Sequence, residues 1–357
     1  MADDKAQLDW NKIKSFSAQV STDIGAAMLG ALSYIGDRLG IFRALAEAGS
    51  VTSTTLAERT GLSERYLREW LGAMTAAGYV NYDPAAKTYA MPPEHAMVLA
   101  RDDSPFFAGG FIEMIVPQMS IAPKVLESFK NGRGVSQSEY PPETWEAMER
   151  SSASMYRHSL IRKWLPAMPQ VVAKLTEGGS SLDVGCGSGR AAIAIASAFP
   201  KAKVFGFDAH AGSLERARAN AKTAGLGDRI KFEVVDCTRL PAAQFDFIST
   251  FDVVHDSVDP DALLKSIRAA LKPDGTYLMV EVNVSSKLED NINPLGRLMY
   301  SMSTLYCMTT SLAHGGAGIG ACMGETKARE LVAGAGFKQF RRLPIDDLFS
   351  ALYEIRI

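Results

Sequence analysis

The stretch Leu182-Asp183-Val184-Gly185-Cys186-Gly187-Ser188-Gly189 decides how this chain reads. An apolar run ends in a carboxylate and a Gly-x-Gly-x-Gly loop, and Arg190 then opens an Ala/Ile-rich helical pattern. Glycines at this spacing let a backbone approach a nucleoside where a Cβ would collide. The spacing differs from the Gly-x-Gly-x-x-Gly of dinucleotide-binding folds. Working outward, strand patterns fall near 181–185, 203–208, 230–235, 244–251 and 275–283. Amphipathic helix patterns separate them near 189–199, 211–224 and 260–272. Such alternation predicts a parallel sheet with helices on both faces. A further helix near 325–335 ends at Gly334-Ala335-Gly336, and strands near 337–343 and 348–357 complete a set of seven.

Upstream the composition changes. Residues 20–100 are helix-rich and resemble a winged helix. Thr52-Ser53-Thr54-Thr55 opens a short helix that closes near Gly61. Ser63 caps a second helix, with Glu64 in its first turn favouring the dipole. Tyr79 to Tyr82, Asp83-Pro84 and Thr88 to Met91 make the wing. A winged helix raises the reading of a DNA-binding regulator with a ligand-sensing domain. Charge opposes it: residues 1–100 hold nine Lys/Arg against eleven Asp/Glu. Groove binding needs a surface that neutralises phosphates. A dimerisation and substrate-wall module fits better, with the apolar helix pattern of residues 20–48 supplying the dimer contact. The apolar run Ile24 to Ile35 is too short to span a bilayer and reads as a buried helix. The expected organisation is a mainly α winged-helix domain (1–100), a helical connector or lid (101–165) and an α/β domain (166–357). In the connector, Pro141-Pro142-Glu143 starts a helix, and Trp145, Met148, Tyr156 and Trp164 follow. These aromatics read as core packing, with Tyr156 the one candidate for a lid.

The bulk numbers exclude several classes. The chain has 357 residues, 47% hydrophobic and 22% charged, and a formal net charge of −2. That is ordinary for a globular protein and gives no electrostatic footprint for nucleic acid or anionic membrane. The start, Met-Ala-Asp-Asp-Lys, is unlike a secretory signal. Cys186, Cys237, Cys307 and Cys322 show no metal-ligand or disulfide-framework spacing. The expectation is a reducing cytoplasm, no structural zinc and no disulfides.

The glycine loop resembles motif I of class I S-adenosylmethionine (SAM) methyltransferases, which implies SAM as cofactor. The acids that follow suit the parts of SAM. Asp208-Ala209 ends the second strand pattern 19 residues after Gly189, where a carboxylate can accept from both ribose hydroxyls. Asp236 ends the third strand, where the adenine amino group wants an acceptor, and the Cys237 backbone can serve the ring. The Gly185 carbonyl is placed for the ammonium. Asp183 orients the loop or reaches the amino-acid tail through water. Gly187 lies at the middle of the loop.

Methyl transfer from a sulfonium needs a positioned nucleophile and, for a hydroxyl, a group to take its proton. Histidine has the suitable resting pKa. Of His95, His158, His210, His255 and His314, only His255 follows the fourth strand, in Phe251-Asp252-Val253-Val254-His255-Asp256. It reads as a general base or as a structural histidine at a strand end. His255-Asp256 resembles the His-Asp of winged-helix small-molecule O-methyltransferases, and the chain resembles actinobacterial-type members more closely. The resemblance implies that His255 is the base, that Asp256 shapes the acceptor site and that Glu281 flanks the histidine. It also implies a homodimer built by the N-terminal module. The chain departs from that family in two places. Ser257 stands where a tryptophan is expected. Phe251 stands where a lysine would approach the adenine, so stacking replaces hydrogen bonding there. Glu325 is the loose candidate for a second flanking glutamate.

Residues 284–324 form an insertion with Met299, Tyr300, Met302, Tyr306, Cys307 and Met308, then the run Gly315-Gly316-Ala317-Gly318-Ile319-Gly320. Methionine-rich walls suit adaptable apolar pockets. The glycine run reads as a mobile flap or as a turn after a core helix. The acceptor is expected to be small and apolar or aromatic.

Overall fold

A computed structural model describes residues 8–357 and divides the chain after Val116 into two compact units.

The first unit opens with α1 (Trp10–Arg38), capped by Asp9, whose side chain accepts from the Asn11 and Lys12 amides. Next come α2 (Ile41–Ala48), α3 (Ser53–Thr60), α4 (Glu64–Ala76), the hairpin β1 (Asn81–Asp83) and β2 (Thr88–Ala90), and α5 (Pro93–Leu99). Thr52 caps α3 through the Thr55 amide. Ser63 occupies the N-cap of α4, but its side chain caps nothing. Ile41, Phe42, Leu45, Leu56, Leu67, Trp70, Leu71 and Met74 form one core, anchored by the Trp70 indole donating to the Leu32 carbonyl at 2.9 Å. On α4, Arg65 pairs with Glu69 and Arg68 with Glu64, so its cations are already partnered along their own helix. The run from Ile24 is not a buried helix: Ile24 is 57% and Met28 67% exposed. Trp10, Ile13, Phe16 and Val20 are exposed too, so α1 carries an apolar stripe at helical spacing that nothing in its own unit covers.

Helix α6 (Gly109–Ser120) runs across the division. The second unit continues with α7 (Ala122–Asn131), α8 (Glu143–Met155), a π-helical segment Tyr156–Trp164 and α9 (Pro169–Glu177). The segment assigned above to a connector thus packs within the second unit from residue 117 onward. The α/β array follows: β3 (Ser180–Val184), α10 (Arg190–Ala198), β4 (Lys203–Asp208), α11 (Ala211–Thr223), β5 (Ile230–Val234), β6 (Phe245–Phe251), α12 (Pro260–Ala270) and β7 (Leu271–Val282). Then come α13 (Pro294–Met302), a π turn Ser303–Cys307, α14 (Met308–Ala313), α15 (Gly324–Gly334), β8 (Gln339–Arg342) and β9 (Ser350–Arg356).

The seven-stranded sheet has the order β5-β4-β3-β6-β7-β9-β8. The first five strands are parallel, and β9 runs antiparallel to both neighbours. This is the mostly parallel seven-stranded sheet with helices on both faces that the strand and helix alternation predicts, a Rossmann-like fold. Apolar clusters cover both faces, one with Leu175, Ile195, Phe247 and Leu278, the other with Val184, Ile248, Leu264 and Met279. Strand order reverses between β3 and β6, so a crevice opens beyond their carboxyl ends. Among the described residues no helix is long and apolar enough to cross a membrane.

Candidate active site

Backbone geometry builds the loop after β3. Gly185, Gly187 and Gly189 have φ of 68°, 50° and 75°, which L side chains rarely adopt. A Cβ on Gly185 would come within 2.8 Å of Val253, and one on Gly189 within 2.8 Å of Phe232. Gly187 differs, because a Cβ there would meet nothing. Its conformation serves the turn, and the space beside it is free.

The expected cofactor acids gather around this loop. Asp208 accepts from the Gly187 amide at 2.9 Å through Oδ2 and from the His210 amide at 2.8 Å through Oδ1. Each oxygen keeps a lone pair for another donor. Ala209 lies exposed beside it. Asp236 is exposed and accepts from the Thr238 amide (3.0 Å) and hydroxyl (2.6 Å), which holds its carboxyl below the ordinary range. Burial pushes the Cys237 thiol up to about 11, against a hydrogen bond to the Gly185 backbone that brings the β3 and β5 loops together. Asp183 is buried and has one long contact, the Ser249 hydroxyl at 3.4 Å. Burial pushes its carboxyl up to about 8. A buried carboxylate with so weak a partner, an open glycine and an acid with unused lone pairs leave polar groups around this loop that nothing in the chain fully satisfies.

The other half lies after β6 and β7. His255 is 2% exposed. Its Nδ1 hydrogen-bonds Oε2 of Glu281 on β7, whose Oε1 accepts from the Val254 amide at 3.1 Å. Its Nε2 lies 3.1 Å from Asp256 Oδ1, and that oxygen is buried in poor hydrogen-bond geometry. Burial opposes the imidazolium, but Asp256 and Glu281 outweigh it and raise His255 well above the ordinary histidine range. The predicted trio His255, Asp256 and Glu281 is therefore one cluster.

Two predicted residues stand elsewhere. Phe251 does not offer a face for stacking: it is 9% exposed, with Tyr156 edge-on at 4.9 Å and Trp164 stacked at 6.2 Å. Its place at the end of a buried strand turns the ring into the core. Glu325 opens α15 and pairs with Arg329 at 2.7 Å and Arg342 at 3.3 Å, so it is no second flank for His255.

Other residues join that the motifs did not mark. Asp252, at φ 55°, is solvent-accessible but deep among protein atoms, and this crowding pushes it up to about 7 although His255 works the other way. Tyr156 lies close enough to Asp183 and Asp252 for their charges, with burial, to raise its phenol. The cue for Tyr156 was its position just before the sheet. Cys307 touches His255 from the π turn of the insertion. Glu149 of α8 is buried against Arg190 and Arg216 and accepts from Asn220 at 2.8 Å. Asn220 also donates to the Ser188 carbonyl at 3.0 Å, so Glu149 clamps the glycine loop. Nothing in local sequence marks it, since its partners lie 41 to 71 residues away.

The glycine run of the insertion is a strap rather than a free flap. The Gly320 amide donates to the His255 carbonyl (3.2 Å) and the Ala317 amide to Val258 (3.0 Å). A Cβ on Gly316 would come within 2.7 Å of the Val258 backbone. Beside it Tyr140, Tyr306, Cys307 and Ala321 form an apolar wall, with Trp145 and Met148 against it.

Comparison with known proteins agrees with this geometry. Residues 27–101 match the Rv2258c-like winged HTH domain, and residues 175–336 match a methyltransferase domain. A winged-helix match is thus followed along the chain by a methyltransferase-domain match. The O-demethylpuromycin-O-methyltransferase of Streptomyces alboniger is 30% identical over 201 residues, 54% of this chain and 50% of that protein. Methyltransferase GfsG of Streptomyces halstedii is 31% identical over 118 residues, 32% of this chain and 42% of that one. The chain thus spans half or less of these curated relatives. Two solved structures share the fold over nearly the whole chain. Mitomycin 7-O-methyltransferase MmcR has a TM-score of 0.71 at 22% identity, covering 97% of this chain and 99% of that one. Human N-acetylserotonin methyltransferase in complex with SAM has a TM-score of 0.66 at 19% identity, covering 98% and 99%.

Proposed function

We propose that this winged-helix methyltransferase uses SAM to methylate a small apolar or aromatic molecule, on oxygen in preference to nitrogen or sulfur. The observation that carries the reading is the His255–Glu281 pair, buried beside the acid-lined glycine loop. SAM supplies an activated methyl on a sulfonium. In this reading Asp208 accepts from the ribose, Asp236 and the Cys237 backbone serve the adenine, and Asp183 with Gly185 and Gly187 shapes the amino-acid end. Glu281 accepts from Nδ1 and fixes the His255 ring, leaving Nε2 to take the acceptor's proton. Asp256 favours the imidazolium that results. Phe251 acts at one remove, by holding Tyr156 against the site. The wall of Tyr140, Tyr306 and Trp145 excludes water and offers aromatic surface to the acceptor.

The DNA-binding reading is not favoured, because the α4 arginines are already paired with glutamates. We also propose a homodimer in which a second copy covers the exposed stripe of α1. A Phe16→Asp variant should then shift from dimer to monomer in light scattering, and a monomeric wild type would remove this part. Four free thiols support a cytoplasmic location. The test of the activity is to incubate the protein with methyl-labelled SAM and a panel of small phenols. Transfer of label to a phenol oxygen is expected. Binding of SAM without transfer to any hydroxyl, amine or thiol would sink the enzyme reading.

A further inference from the structure

The spacing of cysteines in the sequence excludes a zinc framework, yet folding assembles a mixed donor set. His255 Nε2 or Nδ1, a carboxylate oxygen of Asp256 and Cys307 Sγ lie within 4.8 Å of one another. The three residues come from the loop after β6 and the π turn of the insertion, 51 residues apart between Asp256 and Cys307. Two details make this more than proximity. Asp256 Oδ1 is buried in poor hydrogen-bond geometry, with His255 Nε2 at 3.1 Å and the Cys307 thiol beside it. Two electron-rich atoms at that distance need a proton or a cation near both. In addition, the far nitrogen of His255 is held by the Glu281 carboxylate. A carboxylate behind an imidazole is the arrangement that orients a metal-bound histidine and raises its basicity. A second group, Asp252, His255 and Glu281, also falls within 4.8 Å. It fits less well, because it would spend the Nδ1 atom already bonded to Glu281.

We propose that His255 Nε2, Asp256 Oδ1 and Cys307 Sγ form a three-point site for a thiophilic divalent cation, zinc above all. A nitrogen, oxygen and thiolate set suits Zn²⁺ or Co²⁺ and not Mg²⁺ or Ca²⁺, which prefer oxygen alone. Three protein ligands leave a fourth position for water. Neutral imidazole, carboxylate and thiolate carry two negative charges together, which a divalent ion balances, with the Cys307 thiol proton and the His255 Nε2 proton both released to solvent on binding. The metal takes the Nε2 lone pair, so zinc and proton abstraction exclude each other. This last consequence rests on the proposed base role of His255; the binding itself does not. Zinc would act as an inhibitor of the same centre.

The experiment uses the full chain, freed of metal with a chelator and titrated with Co²⁺ in the absence of SAM. One cobalt per chain is expected, with a thiolate-to-cobalt charge-transfer band in the near ultraviolet and visible bands of tetrahedral intensity. Zn²⁺ should displace it. Cys307→Ser should abolish the charge-transfer band, and Cys322→Ser should leave it. Glu281→Gln should keep the band and weaken affinity roughly 10–100-fold, as expected for a residue behind a ligand. Asp256→Asn should weaken binding and keep the band, which preserves the test if Cys307→Ser fails to fold. No band in folded wild type, or a band retained in folded Cys307→Ser, overturns the site. Methyl transfer undiminished at saturating zinc overturns the exclusion while leaving binding in place. Absence of methyl transfer without zinc is a failure of the functional reading, not of the site.

Discussion

The two halves of the crevice are built differently. Around β3, β4 and β5 the loops are held by bonds within a loop or to the end of the adjacent strand: Gly187 to Asp208, Asp208 to His210 and Asp236 to Thr238. Most of these acids remain reachable by solvent. Around β6 and β7 the groups are buried and come from distant segments, with His255 on Glu281 and Cys307 and the glycine run laid over them. The first half suits an invariant ligand read by backbone and carboxylate. The second suits chemistry, where burial and opposed charges hold a histidine away from its ordinary pKa.

If this contrast is right, damage to each half should have a different signature. The largest effect belongs to the buried half. His255→Gln is expected to lower turnover by a factor on the order of 10² to 10⁴ with a hydroxyl acceptor. SAM affinity by calorimetry should not move. Because Asp256 and Glu281 hold the imidazole proton above the ordinary range, the wild-type rate should climb as pH rises past neutrality, and the variant should lose that rise. An unchanged rate for the variant would remove the distinction between the halves.

The next effect concerns the clamp between α8 and the glycine loop. Breaking one side of a buried ion pair costs about 3–5 kcal/mol. The arginines facing Glu149 are 36% and 40% exposed, so screening reduces this to about 1–3 kcal/mol. Glu149→Gln should therefore lower the melting temperature by several degrees and weaken SAM binding through the freed Asn220. A variant as stable as wild type would show that α8 merely rests on the sheet.

The smallest effect tests Asp183. Its carboxyl is raised from 3.8 to about 8 in the folded protein. The native state thus binds the proton more tightly than the unfolded chain, which favours folding at low pH. That contribution is complete below about 3.8 and is lost as pH rises towards about 8. Asp183→Asn should gain stability relative to wild type across that interval, in the absence of ligand, and the difference should then level off. A constant difference in melting temperature across the range would contradict the buried setting of Asp183.

The same contrast explains what was legible in the sequence. The glycine loop, Asp208 and Asp236 are strand-end features whose partners lie within a few residues or on the neighbouring strand, so order and spacing along the chain reveal them. His255 was found because it follows β6, whereas Glu281, near the end of β7, was named only through the resemblance to winged-helix O-methyltransferases. Tertiary packing overrode the rest. Phe251 turned into the core because Tyr156 and Trp164 fold back over it. The run at Ile24 proved exposed because no other element of its unit reaches it. The glycines of 315–320 serve close approach to the His255 loop rather than mobility. Glu149 and the placement of Cys307 depend on contacts that no local pattern records.

The central claim is that the ends of β3, β4 and β5 hold SAM, with Asp208 taking the ribose. Calorimetric titration of S-adenosylhomocysteine into wild type and Asp208→Asn tests it most directly. One ligand per chain is predicted for wild type. The variant should bind roughly 10–100-fold more weakly, the cost of losing hydrogen bonds to a charged acceptor. No binding to folded wild type, or equal affinity in the variant, would contradict the account.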